Sequence, residues 1–444
     1  MLYIFHGTYY LILTIIYPQM LKVLYWFTIF LLLYFVISVT ASYYLFDVTY
    51  GNLMLPIIKE LTWFAILWYV MWRYRSKVVL FFQYTKLLWL LIAGIAVRGV
   101  VATVLIYQSQ WVMDLSVWIN ILIWLKYGLY ATVIFYTAGL MWFTSTLTES
   151  DLSHYIRFIC KAILWFLIIW LIWQWLKRSV PDLFYNILWY GPVGDYIVGQ
   201  AHPIYYRTGA GGFPRFSGLM SGPNNLWYLL VAYASVVPLY FTQRRVKLLY
   251  YGSTLATLSR AAMLGVGTQL VMTATKWIRR NRMLIFVLAG IWLLAVIALS
   301  IIKWASTREH LTRSFDSLQK VIQSPWWIGL WSSWPWVHRG WSVLPENFYL
   351  QLLLDYGTIP FIARCGLWYM IIQQCKTISE SGYQLSWQLR GYLAGFVGLL
   401  LVGLFLHVFE DSIVNYLFFI PFGLLWGQWL RTLAKSWPSV YNQS

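Results

Sequence analysis

The chain has 444 residues, of which 61% are hydrophobic and only 10% charged, a balance that no soluble domain could keep out of aggregation. Its net charge of +18 does not point to nucleic acid, because the basic residues form short clusters between apolar runs and no basic domain. Cys160, Cys365 and Cys375 lie in or beside apolar segments without pairing or metal-ligand spacing, so neither a disulfide framework nor a metal site is expected.

In chain order, Met1 to Ile16 lacks a basic flank and a small-residue cleavage site and is read as retained. Spans are expected at roughly 22–46, 53–72, 79–107, 117–146, 158–177, 224–242, 248–258, 261–277, 283–302, 347–374, 391–409 and 412–430, each sized against the ~20 residues needed to cross a bilayer. The expected fold is an all-α polytopic membrane protein of about twelve transmembrane helices, forming one membrane domain over residues 1–444. Three basic clusters mark cytoplasmic loops: Arg73, Arg75 and Lys77; Arg244, Arg245 and Lys247; and Arg279, Arg280 and Arg282. The 29 Trp and 34 Tyr can supply interfacial belts.

Only about thirty mostly apolar residues separate the second and third clusters, so the chain must go out and return in shortened helices. The polar break that permits the turn is Thr257-Leu258-Ser259-Arg260. Arg260 then either faces a cavity inside the protein or snorkels to the outer headgroups; an intramembrane arginine costs about 2.5–3.5 kcal/mol on insertion scales. The same topology leaves two long external loops, 178–223 and 303–346. Both carry cations on the side where few are expected: Arg207 and Arg215 in the first, and Lys303, Arg308, Arg313, Lys320 and Arg339 in the second.

The first loop runs from Thr208 through Gly209, Gly211 and Gly212 to Arg215, Gly218 and Pro223-Asn224-Asn225, and then enters an apolar helix. Glycines allow close backbone approach, and the amides at a helix start suit an anion that Arg215 could grip in bidentate fashion. The alternative is a glycine-rich surface loop with one solvated arginine. The second loop places Arg308, Glu309, His310 and Arg313 on a candidate amphipathic helix, followed by Pro325-Trp326-Trp327-Ile328-Gly329 and by Trp331, Trp334, Trp336 and Trp341, which suit either sugar stacking or the headgroup region. His338 and Arg339 precede Glu346 and are read either as site residues or as a solvated pair.

With 14 acids against 32 Lys and Arg, few side chains could serve as a base. Glu346 stands at the mouth of a hydrophobic helix and is either a general base or an acid that complements the helix dipole. Asp355 is expected to pair with Arg364 or with another helix, and Glu410 and Asp411, after His407, to join the last two spans. Neither a Walker loop, a His-Glu-x-x-His motif, an Asp-x-Asp motif nor a dinucleotide fingerprint occurs.

Three blocks together resemble the O-antigen ligase and O-antigen polymerase superfamily of bacterial envelope glycosyltransferases. Arg215-Phe216-Ser217-Gly218 with Pro223-Asn224 resembles its Arg-x-x-Gly…Pro-Asn block, and Ser259-Arg260-Ala261-Ala262 its Ser-Arg-Gly-Ala block. Pro325 to Gly329 followed by Glu346-Asn347-x9-Gly357 resembles the signature in which ligases carry His-Asn-x9-Gly. Glu346 replaces the ligase histidine, and Pro360 also departs from the motif, which tilts the resemblance toward a polymerase. The resemblance implies a metal-free, cofactor-free, inverting transfer from a polyprenyl-diphosphate-linked glycan, at the outer face of the bacterial cytoplasmic membrane, to a glycan or glycolipid acceptor. A chain-length regulator or a flippase would be protein partners. Arg215, Arg260 and Glu346 would be catalytic, with Arg207, Asn224, Arg313, His338, Arg339 and Asn347 binding substrate. A ligase acting on a lipid A core, a lipid-linked glycan or anion transporter, and a structural membrane subunit are the alternatives.

Overall fold

The structure, a computed structural model, describes residues 20–44, 48–109, 115–145, 147–188, 223–256, 259–273, 304–323, 347–380, 385–404 and 412–436, with a few isolated positions between 191 and 301. These residues are helical, with no β-strand among them. The helices are α1 (Met20–Tyr44), α2 (Val48–Arg73), α3 (Arg75–Tyr84), α4 (Lys86–Ser109), α5 (Leu115–Thr144), α6 (Glu149–Ser179), α7 (Pro223–Tyr233), α8 (Val237–Tyr240), α9 (Arg244–Ala256) and α10 (Arg260–Thr273). They continue as α11 (Trp304–Gln323), α12 (Phe348–Tyr356), α13 (Thr358–Glu380), α14 (Ser386–Val402) and α15 (Ser412–Ser436).

Among the described residues, α6 and the stretch Ile413–Ala434 of α15 are long and apolar enough to cross a membrane. The pair Arg75–Tyr84 and Lys86–Arg98 qualifies only as one span, bent by 90° at Thr85. The expected span 79–107 is therefore interrupted, and 347–374 divides into α12 and α13 at Gly357. Gly357 has φ 79°, a backbone conformation that suits glycine because it lacks a Cβ. The expected break before Arg260 lies between α9 and α10, both short, and the Ser259 hydroxyl accepts from the Ala262 amide at 3.3 Å, as an N-cap does. Met1 to Ile16, the cluster at 279–282 and the tryptophans from 326 to 341 lie outside the described residues.

Helices α5 and α15 form the most extensive pair. Tyr130 meets Tyr416, Phe135 meets Phe422, and Trp142 donates to Gln428 at 2.6 Å, so residue numbers rise together and the helices run parallel. Gly423 and Gly427, one turn apart, let the backbones touch: a Cβ at Gly427 would strike the Gly139 backbone, and one at Gly423 the Phe135 carbonyl. This small-xxx-small seam is how helices associate where lipid removes the hydrophobic drive. Helix α14 uses Gly395 against α7 and Gly398 against α10 in the same way, and Gly391 against Ser235 and Leu239.

A polar network locks α2 into this core. Glu60 accepts from Lys59 at 2.9 Å, from Tyr416 at 2.7 Å and from Tyr130. Trp63 donates to Thr137 at 3.2 Å. Sequence inspection missed the network because Lys59 and Glu60 read as two charges in one span, while their tyrosine partners lie about 70 and 356 residues away.

Candidate functional site

Helix directions assemble the site. Gly395 packs on Ala232 and Gly391 on Ser235, so α14 runs antiparallel to α7. Gly265 meets Val402 while Gln269 meets Gly398, making α14 antiparallel to α10 as well. Tyr392 stacks on Phe422 and Gly395 lies against Phe418, which gives the same relation to α15. The first turns of α7, α10 and α15 therefore gather at the C-terminal end of α14.

Helix α12 starts there too. The Phe348 amide donates to the Gly403 carbonyl at 2.9 Å, and Asn347 Nδ2 donates to the Leu404 carbonyl at 2.8 Å. Asn347 Oδ1 accepts from the amides of Tyr349 and Leu350 at 2.9 and 3.1 Å, capping the helix. The Asn347 side chain is thus already committed to α12 and α14. Tyr349 also donates to the Leu400 carbonyl at 2.5 Å.

Three of the sequence-predicted positions share this end of the bundle: Asn224 in the first turn of α7, Arg260 at the first position of α10, and Asn347 at the cap of α12. The side chains of Asn224 and Arg260 lie outside the described set, as do Arg207, Arg215, His338, Arg339 and Glu346 entirely. Glu346 immediately precedes Asn347 in sequence. Arg313 is half-buried on α11, which packs against α12. Gathered helix N-termini present positive dipole ends, which favour an anion, while the first-turn amides of α12 and the Ala262 amide of α10 are already bound. Between α7 and α15, Tyr228 donates to the buried Asn415 at 2.6 Å, a polar contact that spacing alone could not reveal.

The opposite end of the bundle is different. Lys77 Nζ donates to the Thr144 carbonyl at 3.4 Å, which puts Arg73, Arg75 and Lys77 with the C-terminal end of α5. Arg431 donates to the carbonyls of Ser145 and Leu147 at 2.7 and 2.5 Å, and Gln428 to Glu149 at 2.9 Å. Arg244, Arg245 and Lys247 begin α9, just beyond α7 and α8. A cleft lined by Glu149, His154, Arg157, Trp387 and Gln388 lies at this end as well.

The Asp355 side chain, expected to pair with Arg364 or with another helix, lies outside the described set. The Arg364 Nε and Nη2 have no hydrogen-bond partner, and the guanidinium rests on Phe348 and Trp368. Among the described residues no group of three or more His, Cys, Asp or Glu could hold a metal, and Cys160, Cys365 and Cys375 are free thiols. No protein-family model matches the chain, and neither a curated protein nor a solved structure matches it.

Proposed function

We propose that the chain is a multi-pass membrane glycosyltransferase that polymerises polyprenyl-diphosphate-linked oligosaccharide units into a surface polysaccharide at the outer face of the bacterial cytoplasmic membrane. The supporting observation is convergence: Asn224, Arg260 and Asn347, from three blocks far apart in sequence, start helices at one end of the bundle, away from Arg73, Arg75, Lys77, Arg244, Arg245 and Lys247. Under the positive-inside rule, the basic end faces the cytoplasm and the other end the exterior. The proposal takes about twelve spans, with 178–223 and 303–346 as external loops.

The chemistry follows from the charges. Arg215 and Arg260 grip the donor diphosphate and stabilise its growing charge as the bond from the anomeric carbon to phosphate oxygen breaks. An acceptor hydroxyl attacks that carbon from the opposite face, inverting it, and Glu346 takes the hydroxyl proton. Polyprenyl diphosphate leaves, and no metal enters the step.

The test is to give purified protein a polyprenyl-diphosphate oligosaccharide, alone or with an acceptor lipid. A ladder from the donor alone is expected. Product only with the acceptor lipid would make the chain a ligase. No product from folded, lipid-binding protein would remove both assignments.

A further inference from the structure

Burying a cation costs free energy unless hydrogen bonds or opposite charge answer it. Four cations are buried among the described residues, Lys59, Lys177, Arg364 and Arg431; Lys59 is answered by Glu60, and Arg431 by two backbone carbonyls and Gln428. Arg364 is not answered in this way. It is 3% exposed, yet its Nε and Nη2 lack hydrogen-bond partners.

What surrounds Arg364 explains why its charge is tolerated and its donors are left over. Its Cζ lies 5.7 Å from the Phe348 ring centroid and 5.1 Å from that of Trp368, and the two rings stack 6.0 Å apart. Aromatic faces attract the guanidinium charge, but they do not satisfy the N–H groups that radiate in its plane. The neighbouring helix start has no spare donors either. The Phe348 amide is bound to Gly403, those of Tyr349 and Leu350 to the Asn347 side chain, and that of Gln351 to the Asn347 carbonyl.

We propose that Arg364 is an anion-binding residue, whose Nε and Nη2 fork takes two oxygens of a phosphate group at the mouth of α12. A planar guanidinium matches phosphate in bidentate fashion, which a lysine cannot do. A phosphate carried on a lipid and a free phosphate present the same oxygens to this fork, and the melting experiment below separates the two sources. This depends on the glycan-transfer proposal only for the lipid's identity. Arg364 lies outside all three motif blocks and adds a second cationic element to the same end of the bundle.

The full chain in detergent is melted with polyprenyl monophosphate, with inorganic diphosphate and with neutral polyprenol. The melting midpoint should rise most with polyprenyl monophosphate, less with diphosphate and not with polyprenol; no rise with either phosphate overturns the proposal, and a rise with diphosphate alone overturns the lipid source. Arg364→Met should melt at or above the ligand-free parent, having lost an unanswered cation, and bind polyprenyl monophosphate at least tenfold more weakly. A Met chain that melts lower and keeps the parent's affinity overturns the proposal. Should the Met chain not fold, Arg364→Lys decides: a folded chain with tenfold weaker affinity upholds the bidentate fork, and parental affinity overturns it. Ladder formation is scored separately. Phosphate binding that depends on Arg364 without a ladder sinks only the transferase proposal, while a parental ladder and parental binding from Arg364→Met sink only this one.

Discussion

The α2–α5–α15 core and the cluster of helix starts around α14 are both helical and rich in aromatic rings, yet they use polar groups in opposite ways. In the core, the Glu60 oxygens are shared among Lys59, Tyr130 and Tyr416, and Arg431 is bound to two carbonyls and Gln428. By contrast, Arg364 keeps two unanswered donors and rests on Phe348, in the first turn of the capped helix α12, and on Trp368. Closed networks hold helices in register; the open one is what the proposed phosphate would close.

The contrast can be broken at several strengths. Gly427→Leu should have the largest effect, because its side chain would enter the Gly139 backbone; a loss of more than about 4 kcal/mol is expected, seen as failure to elute as a single folded species. A folded Gly427→Leu chain would mean that the seam is looser than described. On the proposed role in charge stabilisation, Arg260→Ala should cut glycan transfer by about 10²–10³-fold with little change in melting temperature. If it lowers stability and not turnover, Arg260 belongs with the core.

Smaller changes sharpen the same comparison. Tyr416→Phe removes one donor to a partly buried carboxylate and should destabilise by about 1–3 kcal/mol, while turnover per folded molecule stays unchanged. Asn347→Ala removes a cap and should cost about 1 kcal/mol, with Asn347→Asp recovering the capping part in a melting assay. A large loss of turnover in Asn347→Ala without a stability change would make Asn347 more than a cap.

Much of the site's scaffold was legible because helix starts leave local marks. Ser259 before Arg260 caps α10, and Pro223 opens α7 where a missing amide costs nothing; the positive φ at Gly357, which divides the expected span 347–374, was not read. Features made by distant partners were not legible. The bend at Thr85 has no Pro or Gly to announce it, and the Thr85 hydroxyl donates to the Phe81 carbonyl while pairing with the Tyr136 hydroxyl. Glu60 gains its meaning from α5 and α15, and Arg364 gains its own from rings on two helices. Spacing along the chain did not announce that the turn at Gly357 would bring the Arg364 guanidinium onto Phe348 and Trp368.

The central claim is that the carboxylate at the helix mouth performs chemistry while the carboxylate in the core performs architecture. It is tested most directly by measuring ladder formation per folded molecule for Glu346→Gln and Glu60→Gln in one reconstituted assay. Glu346→Gln should lose about 10²–10⁴-fold in rate at an unchanged melting temperature, and Glu60→Gln should melt lower while turning over normally. Normal turnover from Glu346→Gln, together with collapse of turnover in stably folded Glu60→Gln, would contradict it.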